Sequence, residues 1–99
     1  PNKKYLNVNN NTKIVFEDIK DVLTNKINKN TSAEDIQTLL YDVGKKHQFE
    51  NLKDFFKLVY QVLLGQEQGP RLGSFIKLYG AEETIKIIDQ KLQNLDNVN

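Results

Sequence analysis

The stretch GQEQGPRLGSFIKLYG, residues 65–80, predicts how the second half of the chain divides into helices. It holds four of the five glycines and the only arginine, Arg71. Gly65 is placed to end one helix in the left-handed conformation. Pro70 is placed in the first turn of the next helix, where its missing N–H would have had no helical partner. Apolar residues then follow at helical spacing up to Gly80, which predicts a short helix with a glycine at its end; they are Leu72, Phe75, Ile76 and Tyr79.

Helical periodicity continues on both sides of this stretch. Before it, residues 12–27 carry apolar side chains on one face: Val15, Phe16, Ile19, Val22, Leu23 and Ile27. The next predicted face consists of Ile36, Leu39, Leu40, Val43 and His47, and the third of Leu52, Phe55, Phe56, Val59, Tyr60 and Leu63. After it, a helix from Ala81 carries Ile85, Ile88, Leu92 and Leu95. The sequence therefore predicts an all-α fold, a compact bundle of about five helices with connections of about 3–6 residues.

Several polar residues and one glycine refine these helices. Thr31 and Glu34 have the spacing of a capping box at the start of the second helix, and Ser32 with Asp35 repeats that spacing one residue later. Asn51 is expected to cap the third helix. Gly44, inside the second helix, allows a close helix contact or weakens the helix slightly.

Length and composition suit one helical domain covering residues 1–99, with flexible ends at residues 1–11 and 96–99. The chain has 99 residues, of which 38% are hydrophobic. No apolar run approaches the length of a membrane span, so we expect no membrane contact. The chain starts at Pro1 and contains no methionine, which indicates a fragment of a longer protein.

Familiar catalytic and metal-binding patterns are missing. The chain has no cysteine and one histidine, His47, which suits a structural role at a helix end. Paired carboxylates such as Glu82 and Glu83 lie in predicted first turns or on polar faces, where charge matches the helix dipole. The glycine-rich run lacks the Gly-Lys-Ser/Thr ending of a phosphate loop. We therefore expect neither a catalytic residue nor a metal site.

Local basic groups remain as candidates for ligand binding, although the net charge is only +1. Most are typical of a solvated surface; they are Lys45, Lys46, Lys53, Lys57 and Lys77. Arg71 differs because its planar fork can bind phosphate or a base edge, and a helix start adds free N–H donors beside it. A structural ion pair between Arg71 and a carboxylate such as Glu67 is the alternative.

The run DFFKLVYQVLLGQEQGPRLGSFIKLYGAEETIKII, residues 54–88, resembles the C-terminal end of class I lysyl-tRNA synthetases. In that family a helix with paired aromatics leads into LLG, a polar bridge, GPRLG, a short apolar helix, a glycine and a final helix with an acidic start. The pattern is dense over residues 39–92 and weak before Thr31. Glutamyl-tRNA synthetases end in a related pattern, but Arg71 within GPRLG favours the lysyl form.

The resemblance implies an anticodon-binding domain that helps select tRNA(Lys), in a cytoplasmic and monomeric protein. The catalytic domain of the parent chain would use ATP and magnesium, and no cofactor is expected in this fragment. The family's adenylate-binding signatures need two histidines and usually a methionine, so the fragment alone is not expected to aminoacylate. The RNA-binding candidates, in order, are Arg71, Lys77, Gln66, Gln68, Lys45 and Lys46.

Three further alternatives stay open at this stage. Phe75 or Tyr79 could stack on a base if exposed, although their helical spacing favours the core. The whole domain could instead serve protein interaction or interdomain docking, or be the equivalent domain of a glutamyl-tRNA synthetase.

Overall fold

The computed structural model describes residues 10–49 and 51–96, with side chains described for 12–49 and 51–93. These residues form five α-helices: α1 (Asn10–Asn25), α2 (Ala33–Lys46), α3 (Leu52–Leu64), α4 (Leu72–Tyr79) and α5 (Ala81–Asp96). This part of the chain contains no strand, which confirms the all-α prediction. No helix in it has the length and apolar character needed to cross a membrane.

The ends of the chain lie mostly outside the described residues. Of the predicted flexible ends, Asn10 and Asn11 lie in α1 and Asp96 lies in α5. Residues 1–9 and 97–99 are not described.

Most of the predicted apolar faces form the core. The buried apolar side chains are Val15, Phe16, Ile19, Val22, Leu23, Ile36, Leu40, Val43, Phe55, Val59, Val62, Leu63, Leu72, Phe75, Ile76 and Ile88. Half-buried residues pack around them, among them Ile27, Leu39, Phe56, Tyr60, Ile85 and Leu92. The predicted core residue Leu95 lies outside the described side chains.

Residues 47–51 match the predicted connection length of about 3–6 residues, whereas the other three connections differ from it. Residues 26–32 and 65–71 each form a connection of seven residues, and Gly80 alone separates α4 from α5. The first connection contains a turn of its own, in which the Thr31 hydroxyl accepts a hydrogen bond from the Asn28 N–H at 2.9 Å. Thr31 is therefore not the cap of α2, and that prediction was wrong. The alternative was right, because Ser32 Oγ accepts from the Asp35 N–H at 3.0 Å.

The glycine predictions for helix ends are confirmed, whereas the position of Pro70 is corrected. Gly65 ends α3 with a φ of 71°, and Gly80 ends α4 with a φ of 90°. The first helical residue of α4 is Leu72, with Arg71 at the N-cap, so Pro70 precedes the helix rather than lying in its first turn. Arg71 is extended, with a ψ of 128°, which prevents the helix from starting earlier.

Gly73 sets the contact between α2 and α4, the most extensive helix pairing in the fold. A Cβ atom on Gly73 would lie 2.1 Å from the backbone oxygen of Ala33, so only glycine permits this approach. At the same place the Gly73 N–H donates to Oε1 of Gln37 at 2.7 Å. Gln37 is buried, with 6% of its surface exposed, and it satisfies one of the free N–H groups in the first turn of α4.

Other contacts fix the remaining helices. Gly44 lies against α3, where a Cβ would come within 2.9 Å of Leu52, so the predicted close contact is confirmed. Asn51 caps α3 as predicted, since its side-chain oxygen accepts from the Lys53 N–H at 2.9 Å. Lys20 Nζ lies 2.6 Å from Asp89 Oδ1 and joins α1 to α5.

A second charged contact joins α1 to the end of α2. His47 Nε2 and Lys46 Nζ lie 2.9 Å and 3.1 Å from Oδ2 of Asp18. Burial raises the pKa of the Asp18 carboxyl, but the hydrogen bonds and charges of His47 and Lys46 together lower it by more. The net pKa of Asp18 is therefore below its usual value. His47 is the C-cap residue of α2, and its contact with Asp18 also joins α2 to α1.

Replacing Gly73 by alanine should destabilise the fold more than replacing Gly65 by alanine does. The clash with a backbone oxygen can be relieved only by moving α4 away from α2, which we expect to cost about 3 kcal/mol. Gly65→Ala is the matched control: it has a positive φ but nothing within 4 Å of the new Cβ, and we expect a loss of about 1 kcal/mol. Urea unfolding of both variants measures the difference, and equal losses would contradict the assigned role of Gly73.

The Asp18 contact should make stability depend on acid pH. A carboxyl whose pKa is lowered in the folded state stabilises fully above its unfolded pKa, near 3.8, and loses that contribution as pH falls through the folded value. Asp18→Asn should lower the free energy of unfolding by about 1 kcal/mol at pH 7. In this variant the free energy of unfolding should also fall less steeply as the pH drops below ~4. Urea unfolding from pH 2 to 7 tests this. Asp42→Asn, at an exposed site on α2, is the control and should leave the decline unchanged.

Candidate nucleic-acid interface

The connection between α3 and α4, residues 65–71, forms an exposed loop that lies against α3; we call it the 65–71 loop. The Tyr60 hydroxyl donates a hydrogen bond to the carbonyl of Pro70 at 2.7 Å. Gly69 lies beside the Tyr60 ring and Leu64, since a Cβ on Gly69 would come within 3.1 Å and 2.7 Å of them. Burial raises the pKa of the Tyr60 hydroxyl, with a smaller contribution from Tyr41. These contacts hold the loop backbone and leave its polar side chains in solvent.

Arg71 occupies the end of this loop as the N-cap residue of α4. Its carbonyl accepts the first hydrogen bond of the helix, from the Phe75 N–H at 2.9 Å. Its side chain is exposed and has no hydrogen bond or ion pair with any residue that the structure describes. The alternative bridge to Glu67 is not made, because Glu67 instead faces Lys57, with Nζ and Oε2 3.7 Å apart. The guanidinium is therefore available to a ligand.

Gln66 and Gln68 are exposed on the same loop as Arg71. Together the three side chains offer a planar cation and two amides, each of which carries both a hydrogen-bond donor and an acceptor. Three of the six predicted RNA-binding residues therefore lie on this loop.

Lys77 lies near the opposite end of α4 and is already engaged. Its Nζ donates to the carbonyls of Lys29 and Thr31 at 2.8 Å and 2.7 Å. Lys77 is six residue steps from Arg71, which corresponds to about 9 Å along the helix axis. In this structure Lys77 holds the α1–α2 connection against α4, a role that the sequence did not reveal.

Lys45 and Lys46 lie in the last turn of α2. Lys46 contacts Asp18 at 3.1 Å, whereas Lys45 is exposed. They belong to a different element from the 65–71 loop, so the six candidates do not form one cluster.

The two aromatic residues of α4 have different environments. Phe75 is buried, with 8% of its surface exposed, so the core interpretation is confirmed for it. Tyr79 is 51% exposed and stacks on Phe75 with ring centroids 4.5 Å apart, so the core interpretation was wrong for this residue. Its position near the end of the short helix, next to Gly80, leaves half of its surface in solvent.

An apolar surface adjoins Tyr79. Leu78 is 82% exposed, and a groove of about 390 Å³ runs between the α1–α2 connection and the α4–α5 junction. Ile27, Ile36 and Ile76 contribute its apolar lining, and Glu82 and Glu83 contribute acidic groups. This groove lies toward the end of α4 that is remote from Arg71.

Potential metal ligands do not come together in the part of the chain that the structure describes. His47 contacts Asp18 and is a helix cap, in line with its predicted structural role. No group of three or more histidine, cysteine, aspartate or glutamate residues in residues 10–49 and 51–96 has the arrangement of a metal site.

Sequence reasoning missed two residues that shape the site. Gln37 accepts from Gly73 and so fixes the start of α4, but it was not distinguished from other polar residues of α2. Tyr60 was assigned to the core face, and its hydroxyl in fact binds the loop backbone. The available signal was its polar tip on an otherwise apolar helix face.

The comparisons with known proteins identify similar sequences among lysine--tRNA ligases. The chain is 53% identical over 90 residues to the enzyme of Rickettsia prowazekii (strain Madrid E) and 51% identical over 90 residues to that of Rickettsia felis. It is 48% identical over 93 residues to the enzyme of Rickettsia akari. No family model and no solved structure matches the chain.

These matches cover nearly all of the chain but only part of each relative. The alignments to R. prowazekii and R. felis include 91% of this chain, yet the chain spans only 17% of the length of those relatives. The chain is therefore similar to one segment of these lysine--tRNA ligases.

Proposed function

We propose that this chain is the anticodon-binding helical part of a class I lysyl-tRNA synthetase, and that its 65–71 loop contacts the anticodon of tRNA(Lys). The observation that carries this proposal is Arg71: the chain's one arginine is exposed at the N-cap of α4 without a partner among the described residues. The lysine--tRNA ligase relatives supply the context.

The chemistry of the loop suits single-stranded RNA. Proteins read unpaired bases by stacking them on flat groups and by hydrogen bonding to their edges. The Arg71 guanidinium can do both, and Gln66 and Gln68 carry amides that can donate to or accept from a base edge. Tyr60 holds the loop backbone in place, so less conformational freedom is lost on binding.

In the proposed parent protein, aminoacylation takes place elsewhere. A catalytic domain would bind lysine, ATP and magnesium, and this helical part would select the tRNA in the cytoplasm as one segment of a monomer. Lys45 and the remaining N–H of Lys77 would add phosphate contacts outside the loop.

Removing the Arg71 side chain should weaken binding to the anticodon stem-loop of tRNA(Lys). Loss of one stacking or bidentate contact should raise Kd about tenfold. The melting temperature should stay unchanged, because the side chain has no intramolecular partner among the described residues. Fluorescence titration at low salt compares the wild type, Arg71→Ala and the control Lys91→Ala, an exposed lysine of α5.

Two outcomes would count against the proposal. If the wild type bound neither the tRNA(Lys) stem-loop nor a control stem-loop, direct recognition of RNA by this chain would be wrong. If the wild type bound but Arg71→Ala bound equally well, the role of Arg71 would be wrong.

A second candidate function is docking to another part of the parent protein. The observation that favours it is the exposure of Leu78 and Tyr79, of which Tyr79 also lines the apolar groove. Neighbouring exposed apolar side chains can form part of an interaction surface.

The docking candidate predicts association with the rest of a ligase. The chain should bind in trans to R. prowazekii lysine--tRNA ligase from which the similar segment has been deleted, and Leu78→Ser should weaken this binding without lowering the melting temperature. Analytical size-exclusion chromatography measures the complex. Arg71→Ala is the control and should bind normally, so equal loss in both variants would contradict docking through Leu78.

A further inference from the structure

One side of α3 forms a single surface with the 65–71 loop. Lys53, Lys57, Tyr60 and Leu64 are spaced by four, three and four residues, so they follow one another along one face of the helix. We call these four residues the α3 stripe. Tyr60 and Leu64 lie against Gly69, and Lys57 faces Glu67. Three of the four members therefore contact the loop.

The charges of the α3 stripe suit an anionic partner. Lys53 and Lys57 are both exposed, and one helical turn separates them, which puts their Cβ atoms about 6 Å apart. Their ammonium groups can approach neighbouring anionic groups of one extended ligand. Arg71 adds a third cation at the end of the loop.

Two aromatic residues lie on the same helix as Lys53 and Lys57. Tyr60 and Phe56 are half-buried on α3, and Phe56 packs edge-on against Tyr41 with centroids 5.1 Å apart. Surfaces that bind single-stranded nucleic acids combine basic groups with aromatic side chains in this way.

The ion pair between Lys57 and Glu67 is weak and open to solvent. Its atoms are 3.7 Å apart, and the two side chains are 49% and 61% exposed. Exposed pairs of this kind contribute little to stability. A phosphate group can therefore replace the Glu67 carboxylate at Lys57 at small cost to the fold.

We propose that the α3 stripe binds backbone phosphates of the RNA strand whose bases face the 65–71 loop. In the free protein Glu67 pairs with Lys57, and an RNA phosphate replaces the Glu67 carboxylate on binding. This inference rests on the proposed function and adds to it a phosphate-binding path and a competing carboxylate. Because the α3 stripe contacts the 65–71 loop, a single RNA strand can run along both surfaces. This favours RNA over a separate protein partner. Glu67 then lowers affinity for any RNA that fails to engage the loop.

The sharpest test is a substitution that improves binding. Glu67→Gln removes the competing carboxylate and should tighten binding of the tRNA(Lys) anticodon stem-loop by about threefold or more, with a steeper dependence of log K on log salt. Lys57→Gln and Lys53→Gln should each weaken binding and reduce the magnitude of that slope by about 0.7. Fluorescence titrations at several salt concentrations measure both quantities, and thermal unfolding confirms that each variant is folded.

An equivalent ion pair on α5 provides the control. Lys86 Nζ lies 3.5 Å from Oε1 of Glu83, and both side chains are exposed. Glu83→Gln changes the net charge by the same amount as Glu67→Gln, and Lys86→Gln matches Lys57→Gln. Glu83 lies beside the groove toward the end of α4 remote from Arg71. Both α5 variants should bind RNA with nearly wild-type affinity and salt dependence.

The outcomes separate this inference from the proposed function. Suppose the wild type binds RNA and Arg71→Ala weakens binding, but Lys53→Gln, Lys57→Gln and Glu67→Gln bind with the same affinity and salt dependence as the α5 variants. The phosphate path is then wrong, and RNA recognition stands. If the wild type does not bind RNA, the proposed function fails and the inference fails with it. If Lys57→Gln and Lys53→Gln instead abolish association with a ligase lacking this segment and leave RNA binding intact, the α3 stripe is a protein-binding surface.

Discussion

The close approach of Gly73 to the backbone of Ala33 is the constraint on which the arrangement of the second half of the molecule depends. It seats α4 on α2, and Gln37 completes the contact by accepting from the Gly73 N–H. Because α3 also packs on α2 through Gly44, the end of α3 and the start of α4 have fixed positions. The 65–71 loop must span them, and Tyr60 holds it against α3 on the way.

This geometry separates structural groups from groups that are open to a ligand. The backbone of the loop is anchored by Tyr60, and the start of α4 is anchored by Gln37. Gln66, Gln68 and Arg71 are exposed on that anchored frame. At the far end of α4, Lys77 uses its charge to hold the α1–α2 connection. Two basic residues of the same short helix region thus have different roles in the folded chain.

The fold was largely predictable because local rules determine it. Apolar spacing identified all five helices, and Gly65 and Gly80 marked the ends of α3 and α4. Errors arose where two local solutions compete. Thr31 and Ser32 both have capping geometry in the sequence, and the choice depends on the turn that Thr31 makes with Asn28.

The candidate site was predictable only in part, because its contacts join residues that are distant in sequence. Arg71 stood out as the one arginine in a chain that otherwise uses lysine, but the sequence could not show that Glu67 faces Lys57 rather than Arg71. Lys77 looked like any surface lysine until the carbonyls of Lys29 and Thr31 were placed beside it. The exposure of Tyr79 depends on which residues pack around the end of α4, and apolar spacing does not show that.

The most direct test of RNA recognition by the 65–71 loop is to follow the backbone amide signals of the chain by NMR while adding the anticodon stem-loop of tRNA(Lys). If the 65–71 loop binds the anticodon, the largest shifts will fall on residues 65–71 and on the α3 stripe, with little change around Leu78 and the groove. Shifts concentrated at the groove, or no shifts at low salt, would contradict it.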